Sequence, residues 1–149
     1  MPLPPLPKNA IIIAAEAEDW RAAVTLAAEA LTASGSAKPE YASEMIRMID
    51  EHGPYVVIAP GLALAHARPG PAVIADGLSI VTLATPVRFG HPHNDPVSVV
   101  LGLAIASAGD HLASVAAVAN VFNDSSAIAD LAAATTPERV QEIMGAVER

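Results

Sequence analysis

His66 closes an apolar run that begins at Tyr55 and is followed by Ala67-Arg68-Pro69, so a strand end delivers an imidazole to an edge rich in proline and glycine. A histidine held in this way suits proton transfer, metal ligation or phosphoryl transfer. Position alone does not separate these roles from that of a hydrogen-bonded structural residue. Arg68, two residues on, adds a guanidinium near the same edge, which suits an anion that is bound or transferred. His111 directly follows Asp110, which reads as the N-cap of a helix. In the first turn of a helix the free N–H groups and the positive dipole end favour an anion and bias a histidine toward its neutral form. Neutral imidazole can attack an electrophile; imidazolium cannot. The plainer reading of His111 is a solvated residue at a helix start.

His91 and His93 form an H-x-H in the loop Phe89-Gly90-His91-Pro92-His93-Asn94-Asp95-Pro96, and with Asp95 they could ligate zinc or another divalent ion. The pattern lacks a second ligand pair at a recognised spacing, and Asp95 before Pro96 is read first as turn chemistry. His52, on the apolar face at the end of a helix, is read as packing or a C-terminal dipole partner. The sequence has no Walker loop, no G-x-G-x-x-G, no G-x-S-x-G and no H-E-x-x-H. Nucleotide-dependent kinase, Rossmann oxidoreductase and zincin chemistries therefore lose support.

The elements that must position these residues follow from periodicity. Ile11-Ile12-Ile13 reads as a short strand after a proline-rich, extended first seven residues. Trp20, Val24, Ala27 and Leu31 recur at helical spacing before Gly35-Ser36 stops them. Pro39 is expected to open a second helix, with Tyr41, Met45, Met48, Ile49 and His52 on one face and Gly53-Pro54 as its end. Tyr55–Ile58, Leu62–Ala65, Leu78–Leu83 and Val97–Ala106 are apolar or β-branched runs between Pro and Gly clusters, the pattern of strands. The last of them is apolar throughout and is expected at the centre of the sheet, covered on both faces. After Asp110 the helical period returns through Phe122; Asn123-Asp124-Ser125-Ser126 caps a short helix through Leu131. Thr136-Pro137 then caps a final helix with Val140, Ile143, Met144 and Val147 on one stripe. The natural architecture is an α/β sandwich, a mixed sheet flanked by helices on both sides.

With 149 residues the chain fits one domain. It is 52% hydrophobic but only 3% aromatic, so the core is built from small aliphatic side chains in closely packed layers. Asp and Glu number 16 against 8 Lys and Arg, a formal charge of -8 that disfavours nucleic acid or an anionic membrane as partner. The chain has no cysteine, which removes disulfides, thiolate nucleophiles and Cys-ligated metals. Neither a secretory leader nor an apolar run of membrane-spanning length is recognisable, and a soluble cytoplasmic protein is expected.

The run from Gly53 to Pro69, then Pro86-Val87-Arg88-Phe89-Gly90, Asn94-Asp95-Pro96-Val97 and Asp110-His111-Leu112, resembles the EIIA domain of the mannitol/fructose class of the phosphoenolpyruvate-dependent sugar phosphotransferase system (PTS). The Gly-Pro-Tyr lead-in and the Asn-Asp-Pro-Val step are most similar to its ascorbate-type branch. The blocks match in order and spacing from about Trp20 to the final helix. The resemblance implies a phosphotransferase in which His66 is the phosphorylated histidine, reacting through Nε2, and His111 the second site histidine in contact with the phosphoryl group. It implies phospho-HPr as donor, an EIIB component as acceptor, the membrane EIIC component as an indirect partner, and no cofactor or metal. Arg68 and His111 are expected to bind the phosphate oxygens. Residues 1–9 are expected to be a flexible tail and 10–149 the phosphotransfer domain; a homo-oligomer is compatible with this reading. Two departures stand out. Ala65 occupies the position before the active histidine where the family usually has proline, and Arg47 lies in the helix that carries a site-facing arginine in mannitol and fructose members, at a different spacing. A regulatory protein of the same fold, and a metal-binding protein using His91 and His93, are the alternatives.

Overall fold

The computed structural model describes residues 3–124 and 126–145. After a single 3-10 turn at Lys8–Ala10 the elements are β1 (Ile11–Ala15), α1 (Trp20–Ala33), α2 (Tyr41–His52), β2 (Val57–Ala59), β3 (Leu62–His66), β4 (Gly77–Val87), β5 (Val97–Ala104), α3 (Ala108–Val121), α4 (Ser126–Ala133) and α5 (Pro137–Met144). They form a five-stranded sheet in the order β1-β4-β5-β3-β2. β4 runs antiparallel to β5, and β2 to β3; the β1/β4 and β3/β5 pairs are parallel. The sheet is therefore mixed, with β5 at its centre, as its almost wholly apolar sequence predicts.

Alternation along the strands builds two cores, one on each face. On one face Val100 and Ala104 of β5, with Ala63, Ala65 and Val81, meet Val24, Ala27 and Leu31 of α1 and Tyr41, Met45 and Ile49 of α2. On the other, Val99, Leu101 and Leu103 of β5, with Leu62, Leu64 and Ile80, meet Val118 of α3, Leu131 of α4, and Val140 and Met144 of α5. Helices thus cover both faces, as expected. Val147, the last residue of the predicted α5 stripe, lies outside the described residues.

Small residues set how close α1 comes to the sheet. The hydroxyl of Ser79 donates to the carbonyl of Ala27 at 2.7 Å. A Cβ placed on Gly102, the next residue across on β5, would lie 2.3 Å from Ser79 Oγ and 3.1 Å from Ala27 O. Gly102→Ala is therefore expected to cost about 1–3 kcal/mol through overpacking, read as a lower denaturant midpoint; an unchanged midpoint would mean that α1 retreats freely.

Several boundaries differ from expectation, for local reasons. α2 starts at Tyr41 with Glu40 as its cap, so Pro39 precedes the helix instead of opening it. β2 starts at Val57, because Tyr55 N–H donates to Gly53 O and Val57 N–H to Pro54 O, a turn that takes Tyr55 out of the ladder and leaves Val56 only its carbonyl's bond to Leu64. β5 stops at Ala104, and the amide of Ala106 donates to the carboxylate of Asp76 at 2.9 Å. Nor are residues 3–9 a flexible tail. Leu6 is fully buried among the side chains of the second core. Its carbonyl accepts from Gln141 Nε2 at 2.9 Å, and the carbonyl of Pro5 accepts from the amide of Leu78 at 3.0 Å. The prolines restrict the segment before it docks, which lowers the entropy lost in fixing it.

Candidate active site

The parallel pairing of β3 with β5 brings the two candidate histidines together. Both strands end at the same edge of the sheet, with His66 opposite Leu103, and the chain leaving β5 turns at once into α3. The rings of His66 and His111 lie 5.5 Å apart between centroids, at 45°. α3 begins earlier than the sequence suggests: Ser107, in extended conformation, is its N-cap, and Asp110 sits within the first turn. Nothing in Ala108 or Gly109 opposes an earlier start, and the acidic side chain of Asp110 is as well suited to the first turn as to a cap. His111 accordingly follows three helical residues while remaining at the positive end of the helix.

His66 is held in one tautomer by its own backbone. Its Nδ1 lies 2.8 Å from the carbonyl of Leu64. A carbonyl only accepts, so Nδ1 carries the proton and the neutral ring keeps its lone pair on Nε2. Burial lowers the pKa of His66 from its ordinary 6.5; the hydrogen bond to Leu64 opposes this and the proximity of His111 adds to it. Burial also lowers the pKa of His111. Both rings are therefore neutral at neutral pH. Nδ1 of His111 is buried and has no hydrogen-bond partner among the described residues, so the site contains a polar atom awaiting one.

Two tyrosines brace this edge. The buried hydroxyl of Tyr41 donates to the carbonyl of Leu103 at 2.7 Å and accepts from the amide of Ala67 at 3.1 Å, pinning the ends of β5 and β3 to each other. Burial pushes its pKa up to about 12. The hydroxyl of Tyr55 donates to the carbonyl of His66 at 2.8 Å. Sequence reasoning used Tyr41 only as part of a helix face and Tyr55 only as a strand start. A signal was available, since the chain has just two tyrosines and a buried hydroxyl requires a partner.

Arg68, two residues beyond His66, is exposed and has no ion pair among the described residues. It lines a cleft of ≈ 260 Å³ with Glu44, Arg47, Met48, Glu51 and His52. Arg47 thus faces the same cleft as Arg68, although its guanidinium lies 3.5 Å from Glu51 in an exposed pair of little energetic weight. His52 is exposed at the end of α2 and stands edge-on to Tyr55, with ring centroids 6.4 Å apart.

The side chains of His91 and Asp95 serve the loop. The Asp95 carboxylate accepts from the amides of Phe89, Gly90 and His91 at 2.7 to 3.0 Å. Nδ1 of His91 accepts from the amides of His93 and Asn94, each at 3.1 Å. The Asp95 carboxylate and His91 Nδ1 are engaged with backbone amides, and among the described residues no group of three His, Asp or Glu is placed to hold an ion. Turn chemistry is the reading of Asp95 that holds.

Comparison with known proteins bears on this arrangement. Residues 5–146 match the family described as "Phosphoenolpyruvate-dependent sugar phosphotransferase system, EIIA 2". The ascorbate-specific PTS system EIIA component of Escherichia coli (strain K12) is 35% identical over 137 residues, covering 91% of this chain and 89% of that protein. A Streptococcus mutans protein described as a PTS IIA (PtxA) superposes with a TM-score of 0.83 at 34% identity, over 93% of this chain and 88% of the other. The crystal structure of IIA mannitol from Escherichia coli gives a TM-score of 0.80 at 25% identity, over 91% and 96% of the two chains.

Proposed function

Because the chain belongs to the EIIA type-2 family of the phosphoenolpyruvate-dependent sugar phosphotransferase system, we propose that it accepts a phosphoryl group from phospho-HPr on Nε2 of His66 and passes it to an EIIB component that serves ascorbate uptake through EIIC. EIIA proteins of this family are phosphotransferases, and a phosphohistidine is the intermediate this reading requires. The observation that carries it is the bond from His66 Nδ1 to Leu64 O, which leaves the nucleophilic lone pair on Nε2 beside His111.

In the acceptance step the Nε2 lone pair attacks phosphorus, the N–P bond of the donor phosphohistidine breaks, and its electron pair returns to the donor nitrogen. Attack leaves positive charge on the His66 ring. The Nδ1–H bond to the Leu64 carbonyl stabilises that charge, because a hydrogen bond from an ionised donor is stronger than one from a neutral donor. Passing phosphate onward reverses the step, with the EIIB nucleophile attacking phosphorus and Nε2 as the leaving atom. Arg68 and the buried nitrogen of His111 are assigned to the equatorial phosphate oxygens, where charge shifts during transfer. The exposed position of the edge suits a carrier that must meet two proteins in turn. Function in the cytoplasm follows from the donor; among the described residues no single helix is long and apolar enough to cross a membrane. The phosphotransfer domain is taken as residues 10–149, with residues 3–9 packed onto it.

Incubating the purified protein with phosphate-labelled HPr tests the proposal. The expected result is stoichiometric, acid-labile label on the chain that moves to an ascorbate-type EIIB. If the chain stays unlabelled while the same HPr preparation charges another EIIA, the proposal is wrong.

A further inference from the structure

Main chain pairs the outer edge of β3 for only part of its length. β2 reaches Leu62 and Ala63, and just beyond it the amide of Leu64 donates to the carbonyl of Val56 at 2.7 Å. Opposite the last residues of β3 the chain turns away. Tyr55 N–H is spent on Gly53 O and Val57 N–H on Pro54 O, and Pro54 has no N–H to offer. Since alternate residues of a strand present their polar groups to the same side, the carbonyls of Leu64 and His66 face this gap without an amide donor. Side chains fill both places. His66 Nδ1 takes the Leu64 carbonyl, and the Tyr55 hydroxyl takes the carbonyl of His66, each at 2.8 Å. The half-buried ring of Tyr55 stands edge-on to the imidazole, with centroids 5.4 Å apart at 86°.

We propose that Tyr55 is a positioning residue for the phosphate acceptor: its hydroxyl clamps the His66 carbonyl and its ring walls one side of the imidazole, which keeps Nδ1–H on Leu64 and Nε2 as the attacking nitrogen. The two contacts act on different parts of His66. The clamp fixes the backbone of a strand end that would otherwise fray, and with it the origin of the side chain. The wall opposes rotation of the ring, which would carry Nδ1 away from Leu64 and free Nε2 to hold the proton. Tyr55 must stay protonated to act as donor. Burial raises its pKa from 10.0, and this outweighs the opposing charge of Arg68.

The proposal rests on His66 being the acceptor, and its test separates the two. Tyr55→Phe keeps the ring and removes the clamp; Tyr55→Leu removes the aromatic wall as well. The tautomer of unphosphorylated His66 is read from its imidazole ¹⁵N shifts, and turnover and KM are measured with phospho-HPr as substrate. Tyr55→Phe is expected to reduce turnover about tenfold, with little change in KM or melting temperature and with an Nε2–H population absent from the wild type. Tyr55→Leu is expected to extend both changes. Wild-type tautomer and turnover in Tyr55→Phe would overturn the proposal, as would a rise in KM alone, which would make Tyr55 a docking contact. A wild-type chain that takes no phosphate would instead overturn the acceptor assignment, and the tautomer measurement would show separately whether the clamp exists.

Discussion

His66→Ala is expected to abolish uptake of phosphate from phospho-HPr while the protein still folds. The expectation is this strong because the substitution removes the only atom assigned to form the N–P bond, and His111 cannot simply replace it. Nδ1 of His111 is buried, and among the described residues no backbone carbonyl fixes the ring tautomer as Leu64 does for His66. Folding should survive because the change leaves one carbonyl, that of Leu64, without its partner at a strand end, a cost of about 1–3 kcal/mol, and leaves both cores intact. Labelling by phospho-HPr, with circular dichroism as the folding control, reads the result; normal stoichiometry in the variant would refute the assignment. The wild type carries a matching pH signature. Protonation removes the Nε2 lone pair, and burial delays it to below the ordinary pKa of 6.5, so the acid limb of the acceptance rate should lie below pH 6.5. Stability should fall in the same window. As pH drops through 6.5 the unfolded chain takes up protons on both histidines that the folded chain still refuses, and stability falls wherever the unfolded state binds more protons.

The second large effect is expected at His111. His111→Ala should slow transfer by about 10²-fold, the scale seen when one preorganised donor to a developing charge is removed, with stability unchanged or slightly raised. The two halves of this prediction share one cause. In the free protein the His111 ring sits against His66 with a buried nitrogen that has no partner among the described residues, an arrangement that costs stability and that a phosphate oxygen would relieve on the proposed function. Deleting the ring removes that cost and also the interaction. Quenched-flow measurement of both half-reactions, phospho-HPr to protein and protein to EIIB, tests this; unchanged rates in both would remove His111 from the mechanism. Loss of stability without a change in rate would make it a packing residue.

What could be read in the sequence was local. The almost wholly apolar run of β5, the Thr136-Pro137 start of α5 and the strand-end location of His66 each depend on residues within a few positions of one another. The order of the motif blocks added the pairing of His66 with His111. Interactions between distant residues were not legible. Tyr41 bridges Ala67 and Leu103, 26 and 62 positions away, and no periodicity in α2 announces that its first residue ties two strands together. The prolines before Lys8 look like a tail because their composition carries no sign of Gln141, 135 positions on, which binds the carbonyl of Leu6. Asp110 departs from the cap position for a different reason. Acidic residues favour the cap and the first turn alike, and Ser107 competes for the cap three residues earlier. β propensity places Tyr55 in a strand, whereas the turn at Gly53-Pro54 takes it off the strand and its hydroxyl reaches His66.

The parallel alignment of β3 with β5 has a further consequence, for the life history of the molecule. His66 and His111 meet only after strand 62–66 has paired with strand 97–104 and α3 has docked, with all of β4 intervening in sequence. Contacts of such separation form late, after the loop-closure entropy has been met. A nascent or misfolded chain would carry His66 without the second histidine and without the braced strand end. On the proposed function, competence to take phosphate would then be a certificate of completed folding: immature copies would not draw phosphate from the relay, and the charged fraction of a preparation would count its native molecules.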